Sequence, residues 1–309
     1  MSIQTQDVTI RKQFVENIRE LGDNYLPVWF MLPVVSTLLT FTVFPFLYNL
    51  YLMSVNYDLT DPASQGEFVG LSNITSAFGD PALWTAVGIT VMFVISALTI
   101  ETAIGFGLAS LLKGTNRFTG FYRIVLLLPM AVAPISLATI GRVMLNQEIG
   151  VIPWLIESFT PLASPQFLSS DFALITVVMF DVWQWTPFMF IIIYAGLTSV
   201  PEELLEAGRV DGAPIWRIYA HIIIPYMKPV LLVGVLIRMI DLLRSFGLVY
   251  TLTSGGPGNT TRLFSIHIYE TAFSFLDLGA AGSMAIIYMF STVIVATLFI
   301  KVFNFEGVW

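Results

Sequence analysis

Long apolar stretches alternate along the chain with short intervals that carry its charges, glycines and prolines. The apolar stretches cover residues 26–54, 83–112, 121–145, 172–197, 229–252 and 280–303. A helix that crosses a bilayer needs roughly 20 mostly apolar residues, and each stretch reaches that length. The pattern predicts an all-α polytopic membrane protein with six transmembrane helices. Pro33 and Pro45 predict a kink or a broken end in the first of them.

Composition supports a membrane environment. Of the 309 residues, 56% are hydrophobic and 11% are charged, whereas a soluble domain carries about 25% charged residues. The absence of cysteine excludes disulfides, thiolate metal sites and cysteine nucleophiles. His221 and His267 are far apart and have no metal-ligand spacing. The sequence therefore predicts neither a metal site nor a catalytic site, and nothing in it suggests a nucleic-acid partner.

The basic residues predict the orientation. Lysine and arginine gather in the intervals that an alternating topology places on one side, and the positive-inside rule makes that side cytoplasmic. These residues are Arg11, Lys12, Arg19, Lys113, Arg117, Arg123, Arg209, Arg217, Lys228 and Lys301, against Arg142 and Arg262 on the other side. We expect a plasma (inner) membrane protein with both termini cytoplasmic. Residues 1–25 would form a cytoplasmic segment, either an amphipathic helix on the membrane or a solvated tail.

The interval of residues 200–225 is too polar to cross a membrane, yet its pattern is regular. Pro201 followed by Glu202 predicts a helix start, because proline suits the first turn and acidic groups suit the positive end of the helix dipole. Gly212 predicts the end of that helix, and Pro214 the start of a second one. We expect a two-helix elbow on the cytoplasmic side.

This elbow has two interpretations on local physics alone. Its small residues, Ala207, Gly208 and Gly212 among them, would let another protein approach closely. Alternatively, it only joins two spans along the membrane surface. In either case Pro225 and Pro229 are expected to break the chain before the fifth span.

The elbow resembles the signature of ABC-importer permeases, which is Glu-Ala-Ala, three residues, Gly, nine residues, then Ile-x-Leu-Pro. The matching residues are Glu206-Ala207-Gly208, Gly212 and Ile222-Ile223-Ile224-Pro225, with both gaps intact. Gly208 replaces the second alanine and Ile224 replaces the leucine. Three further segments are similar to the sugar (maltose/trehalose-like) branch of that family: residues 201–213, 68–73 and 252–257.

The resemblance implies a type I ABC-importer permease fold, one membrane domain over residues 1–309, and a coupling role for residues 200–225. It assigns coupling to a separate ATPase to Glu206, Ala207, Gly208 and Gly212, and we add Asp211 at the turn. The implied partners are a second permease subunit in a heterodimer, two ATP-binding subunits and an extracytoplasmic solute-binding protein. This sequence has no phosphate-binding loop motif, so we expect no cofactor on this chain, and ATP and Mg on the partners.

Charges within the apolar stretches point to the bundle interior. Arg238, Asp241 and Arg244 are spaced three residues apart, so they share one side of the fifth helix. We expect Asp241 to pair with one arginine, leaving one positive charge over, with Asp181 as a second candidate partner. Glu101 is a weaker case that reaches the interface or pairs within the bundle. These charges either line a path for a hydroxylated solute or only fix helix packing.

Aromatic and amide groups in the fourth helix extend this candidate path. Trp183, Gln184 and Trp185 fall near the middle of that helix, where rings beside a few polar groups suit a sugar. The alternative to an ATP-driven sugar permease is an ion-coupled secondary transporter, which predicts inverted repeats and leaves the elbow unexplained. The solute stays open among disaccharides, other sugars, polyols and sugar phosphates.

Overall fold

The structure, a computed structural model, describes residues 29–63, 65–113, 119–161 and 163–303. The predicted segment of residues 1–25 lies outside that range. In chain order the helices are α1 (Trp29–Ser54), α2 (Ser72–Gly79), α3 (Pro81–Leu111), α4 (Thr119–Leu127), α5 (Pro134–Met144), α6 (Val151–Phe159), α7 (Ala173–Thr198), α8 (Glu202–Val210), α9 (Ile215–Leu243), α10 (Gly247–Thr253), α11 (Phe264–Phe273) and α12 (Leu278–Val302). A short antiparallel pair, β1 (Val55–Asn56) with β2 (Glu67–Phe68), follows α1.

Five helices, α1, α3, α7, α9 and α12, are long and apolar enough to cross a membrane. The all-α membrane prediction is confirmed. The third predicted span differs, because Gly120–Ala131 and α5 meet at an angle of 89°. The two helices form either one broken span or a re-entrant loop. Pro129 and Pro134 flank the bend, and proline removes a backbone donor from the helix ladder. Gln184 donates from Nε2 to the Val132 carbonyl oxygen at 2.6 Å, so one carbonyl at the bend is satisfied.

The expectation that Pro225 and Pro229 break the chain is wrong. Helix α9 runs through both prolines, and it widens into a π-helical segment at Tyr219–Ile223. The carbonyl that would clash with the Pro225 ring lies four residues earlier, within the widened turn. Helix α1 has the same arrangement, with a π-helical segment at Leu39–Val43 just before Pro45. In both helices the wider turn accommodates the proline.

The fifth span also ends earlier than predicted. Helix α9 stops at Leu243, and Phe246 has φ −144° and ψ −60°, outside the helical region. The chain then begins the separate helix α10, which packs against α5. The apolar run continues across this break because Leu248 and Leu252 are buried in protein. Hydrophobicity alone cannot distinguish protein contact from lipid contact.

Helices α3 and α7 form the centre of the packing. The buried stripe of α3 repeats every three or four residues and includes Leu83, Ala86, Thr90, Phe93, Ala97, Glu101, Gly105 and Ala109. Its small members let α7 approach closely: a Cβ atom at Gly105 would stand 3.0 Å from Met189 Cβ and 3.0 Å from the Phe190 nitrogen. In contrast, the most apolar stretch of α1 has no residue that the rest of the described chain buries.

We expect Gly105→Val to destabilise the α3–α7 pair, because the added side chain collides with backbone that cannot move aside. Overpacking of this kind costs about 1–3 kcal/mol. Gly107→Val is the matched control: it makes the same change two residues on, where nothing lies within 4 Å. The measurement is the apparent melting temperature of the purified protein in detergent. Equal melting temperatures for the two variants would contradict the close approach.

Candidate functional site

A buried arginine lies at the centre of the spanning helices. Arg238 in α9 is 2% exposed, and its guanidinium contacts three carboxylates. Nε and Nη2 donate to the two Glu101 carboxylate oxygens at 2.8 and 2.9 Å. Nη1 donates to Asp241 at 2.5 Å, and Nη2 also donates to Asp181. The Trp185 ring lies against the same group, with its centroid 4.9 Å from Cζ.

The helix pattern explains how these groups meet. Asp241 follows Arg238 by three residues, so it lies on the same side of α9. Glu101 belongs to the buried stripe of α3, and Asp181 points inward from α7. We call Arg238 with Glu101, Asp181 and Asp241 the charge cluster. It joins three spanning helices through one side chain.

The charge cluster differs from the expectation in the role of Glu101. Glu101 was treated as a weaker case, yet it is the bidentate partner of Arg238 and is fully buried. Its place in the stripe of α3, four residues from both Ala97 and Gly105, is the sequence signal that identifies it. The arginine expected to be left over is Arg244, because Asp241 pairs with Arg238, and Asp181 is a second partner of that same arginine. Arg244 is exposed and forms no ion pair within the described ranges.

A small cavity of about 120 Å³ opens beside the charge cluster. Its polar lining consists of Asp181, Gln184, Trp185, Arg238, Asp241, Arg244 and Ser245. Asp241 keeps 53% of its side chain exposed, so a carboxylate is accessible at the rim. Gln184 Oε1 is buried and has no hydrogen-bond partner among the described residues. Exposed donors and acceptors beside an aromatic ring suit a small hydroxylated molecule.

Trp183 does not join this cavity. It is 52% exposed and lies in an apolar groove that α3, α4 and α7 form, with Ile104 and Pro187 among its neighbours. Each step along a helix turns the side chain by about 100°, so Trp183 and Trp185, which are two residues apart, point to nearly opposite sides of α7. Of the three predicted residues in this part of α7, the structure brings Gln184 and Trp185 together with the charge cluster.

The elbow at residues 200–225 begins with the amphipathic helix α8. The helix ends in a paired hydrogen-bond motif: Ala213 N donates to Gly208 O at 3.0 Å, and Gly212 N donates to Arg209 O at 3.0 Å. This motif needs a residue in the left-handed region, and Gly212 has φ +69°. The turn aims the chain directly into α9, and Asp211 lies exposed at the same corner.

The two faces of α8 differ in exposure. Gly208 faces α9, where an added Cβ would meet Ile222 Cδ1 at 3.1 Å, so the glycine allows the two helices to touch. Glu206 and Ala207 are exposed, and Val210 is 87% exposed. An apolar side chain this open at a polar corner is available for contact with another protein. Partial burial lowers the pKa of Lys113, which follows α3 near Glu202 and Arg209 of α8.

Comparison with known proteins identifies the family of this chain. Residues 101–305 match the family described as binding-protein-dependent transport system inner membrane component. The trehalose/maltose transport system permease protein MalF of Thermococcus litoralis is 32% identical over 93% of this chain and 96% of its own length. The sulfoquinovosyl glycerol transport system permease protein SmoG of Agrobacterium fabrum is 30% identical over 92% of each chain.

Solved structures show the same fold. A chain of the bacterial alginate ABC transporter, in complex with an alginate pentasaccharide-bound periplasmic protein, superposes with a TM-score of 0.75. That match covers 91% of this chain and 94% of the other at 17% identity. The chain therefore belongs to the family of binding-protein-dependent transport system inner membrane components, and it is a permease subunit of an ABC importer.

Proposed function

We propose that this permease forms half of the path for a sugar or sugar-like solute, and that the solute contacts the cavity beside the charge cluster. The observation that carries the proposal is the cavity's polar rim: Asp241 and Arg244 are exposed where the spanning helices meet. Names of relatives that transport trehalose, maltose or a sulfoquinovosyl glycoside support a carbohydrate.

The charged residues in and beside the charge cluster support two different roles. Arg238, Glu101 and Asp181 are buried, so their ion pairs hold α3, α7 and α9 together. Arg244 stands outside these pairs and faces the cavity, so it is free to donate to a solute hydroxyl. A structural network alone would not need an exposed arginine at its edge.

The proposed assembly contains a second permease, two ATP-binding subunits and an extracytoplasmic binding protein. Supporting it are the elbow signature, family membership and the periplasmic protein bound in the alginate transporter. In this assembly both termini and residues 200–225 are cytoplasmic, and ATP and Mg bind the partner subunits. Family membership favours this ATP-driven mechanism over an ion-coupled secondary transporter.

We expect Arg244→Gln to lower maximal uptake of trehalose or maltose about tenfold, since a hydrogen bond to a charged group contributes about 1.5–3 kcal/mol. A separate binding protein sets the apparent affinity, so the loss should affect the maximal rate. The measurement is uptake into proteoliposomes that contain the complete transporter and internal ATP.

Arg142→Gln is the control for this experiment, because Arg142 is another exposed arginine and lies at the end of α5, away from the cavity lining. Wild-type uptake in both variants would remove Arg244 from the solute path. Loss of assembly with Arg244→Gln would show that the residue is structural.

For the elbow, we propose that the exposed face of α8 and the following turn dock on an ATP-binding subunit. Supporting this are the open side chains of Glu206, Ala207 and Val210 and the turn at Gly212. Gly208 contributes by packing α8 onto α9, so that movement of one moves the other.

We expect Val210→Asp to abolish copurification of the ATP-binding subunit and solute-stimulated ATP hydrolysis. Val210 is almost fully exposed, so the added charge does not disturb the chain's own packing. Gly212 is a poorer choice, because its positive φ would add backbone strain to any change in contact. Val210→Thr retains the shape and serves as the control. An intact, hydrolysing complex with Val210→Asp would show that α8 docks elsewhere or not at all.

A further inference from the structure

The short helix α6 (Val151–Phe159) keeps most of its apolar side chains exposed. It lies between α5 and α7, and no residue that the structure describes covers its outward side. Trp154 is 61% exposed and Phe159 is 79% exposed, and Val151 and Leu155 are exposed as well. We call these four residues the apolar face of α6. Neither the family match nor the polar cavity accounts for it.

The apolar face is a single stripe along the helix. Its members are spaced three or four residues apart, so they point in nearly the same direction. Pro153 is buried on the opposite side, where α6 meets the rest of the chain. No charged residue lies within the stripe; Ser158 is its polar member, and Glu157 stands at its edge. Helix α6 therefore presents an uncharged, mostly apolar surface away from the protein.

Hydrogen bonds hold α6 beside one end of α7. Glu157 Oε1 accepts from Ser164 N at 3.3 Å, and Gln147 Nε2 donates to Ser164 O at 3.2 Å, which ties the following loop to both sides of the helix. Thr176, in the first turn of α7, donates from Oγ1 to Phe167 O at 2.7 Å. The elbow follows the other end of α7, so α6 lies at the membrane boundary opposite the elbow.

A tight turn sets the direction of α6. Asn146 Oδ1 accepts from Glu148 N at 2.9 Å and from Ile149 N at 3.1 Å, and Asn146 O accepts from Gly150 N at 2.8 Å. A Cβ atom at Gly150 would lie 2.3 Å from Asn146 O, so this close approach requires glycine. The backbone thereby fixes α6 relative to α5, and the apolar face stays turned outward.

The surroundings that suit this face are lipid. Leaving it in water is unfavourable by about 25 cal/mol for each Å² of apolar surface. A protein partner that docks and leaves in every transport cycle would return the face to water each time. Lipid at the membrane boundary covers it throughout, and tryptophan suits that depth because its ring is apolar and its N–H group is polar.

We propose that α6 is an interfacial anchor, which lies in the outer leaflet with its apolar face among the acyl chains and Glu157 towards water. This rests on the proposed orientation of the chain. Helices of this kind bury their apolar face about 5–10 Å into the boundary between headgroups and acyl chains. The anchor holds the end of α5, and α5 begins at Pro134, which lines the polar cavity.

The test measures the depth of α6 in the complete transporter, reconstituted in proteoliposomes. The chain has no cysteine, so a single introduced cysteine can carry a fluorophore without other changes. Trp154→Cys and Phe159→Cys report on the apolar face. Glu148→Cys is the matched control, an exposed and charged position in the turn just before the helix. All three side chains are exposed, so the changes remove no core packing.

Two quenchers are compared: a lipid with a nitroxide near the headgroup end of its acyl chain, and iodide in the water. We expect the lipid to quench several-fold more strongly at Trp154→Cys and Phe159→Cys than at Glu148→Cys, and iodide to show the reverse order. Adding the binding protein should change neither signal.

Strong iodide quenching at the apolar face, or equal quenching at all three positions, would overturn the anchor. Protection from both quenchers would overturn it as well, because another subunit would then cover the face. Loss of lipid quenching when the binding protein is added would assign the face to that protein instead.

The proposed orientation is tested separately with a membrane-impermeant thiol reagent. Glu148→Cys should react from the side opposite the ATP-binding subunits. Reaction only from the side of those subunits would overturn the orientation, whereas the depth of α6 would still be read from the quenching. The two failures are therefore distinguishable.

Discussion

The fold depends on one buried guanidinium. A charge at the centre of a membrane helix is unfavourable by roughly 2.5–3.5 kcal/mol on insertion scales, so each member of the charge cluster is tolerable only because the others face it. Arg238 satisfies carboxylates from α3, α7 and its own helix. Separating any of these helices would leave a buried charge unpaired, at about 3–5 kcal/mol. The three helices must therefore behave as one unit.

This unit connects the two proposed working parts of the chain. Helix α9 starts at the turn that follows α8 and continues without interruption to Leu243, five residues beyond Arg238. Its contact with Gly208 joins it to the elbow at one end, and Asp241 and Arg244 bring it to the cavity at the other. In the proposed mechanism a displacement of α8 reaches the cavity through a single helix. The π-helical segment at Tyr219–Ile223 is the part of that helix where wider hydrogen-bonded turns replace the α-helical pattern.

The sequence predicts the membrane helices well because apolar length is a direct physical requirement of the bilayer. It also predicts the turn at Gly212, where backbone conformation limits the residue type. It fails where tertiary context decides: Pro225 lies within a helix because a π turn precedes it, and α10 is apolar through protein contact. Glu101 and Trp183 show the same limit in the candidate site. Composition marks both residues, and the rotation of α3 and α7 determines which one faces Arg238; for Glu101 the spacing of four residues from Ala97 and Gly105 is the sequence signal of that rotation.

The cavity on the proposed path combines polar and aromatic groups, and their physical properties are complementary. The charged and amide groups at the cavity form directional hydrogen bonds, which hold a solute in one orientation. The Trp185 and Phe246 rings in the lining offer apolar faces, which attract a sugar ring without fixing its rotation. A conducting path needs attraction strong enough for entry and weak enough for exit. In the proposed mechanism the exposed rim at Asp241 and Arg244 meets both needs, because a rim that is open on one side can orient a solute without enclosing it.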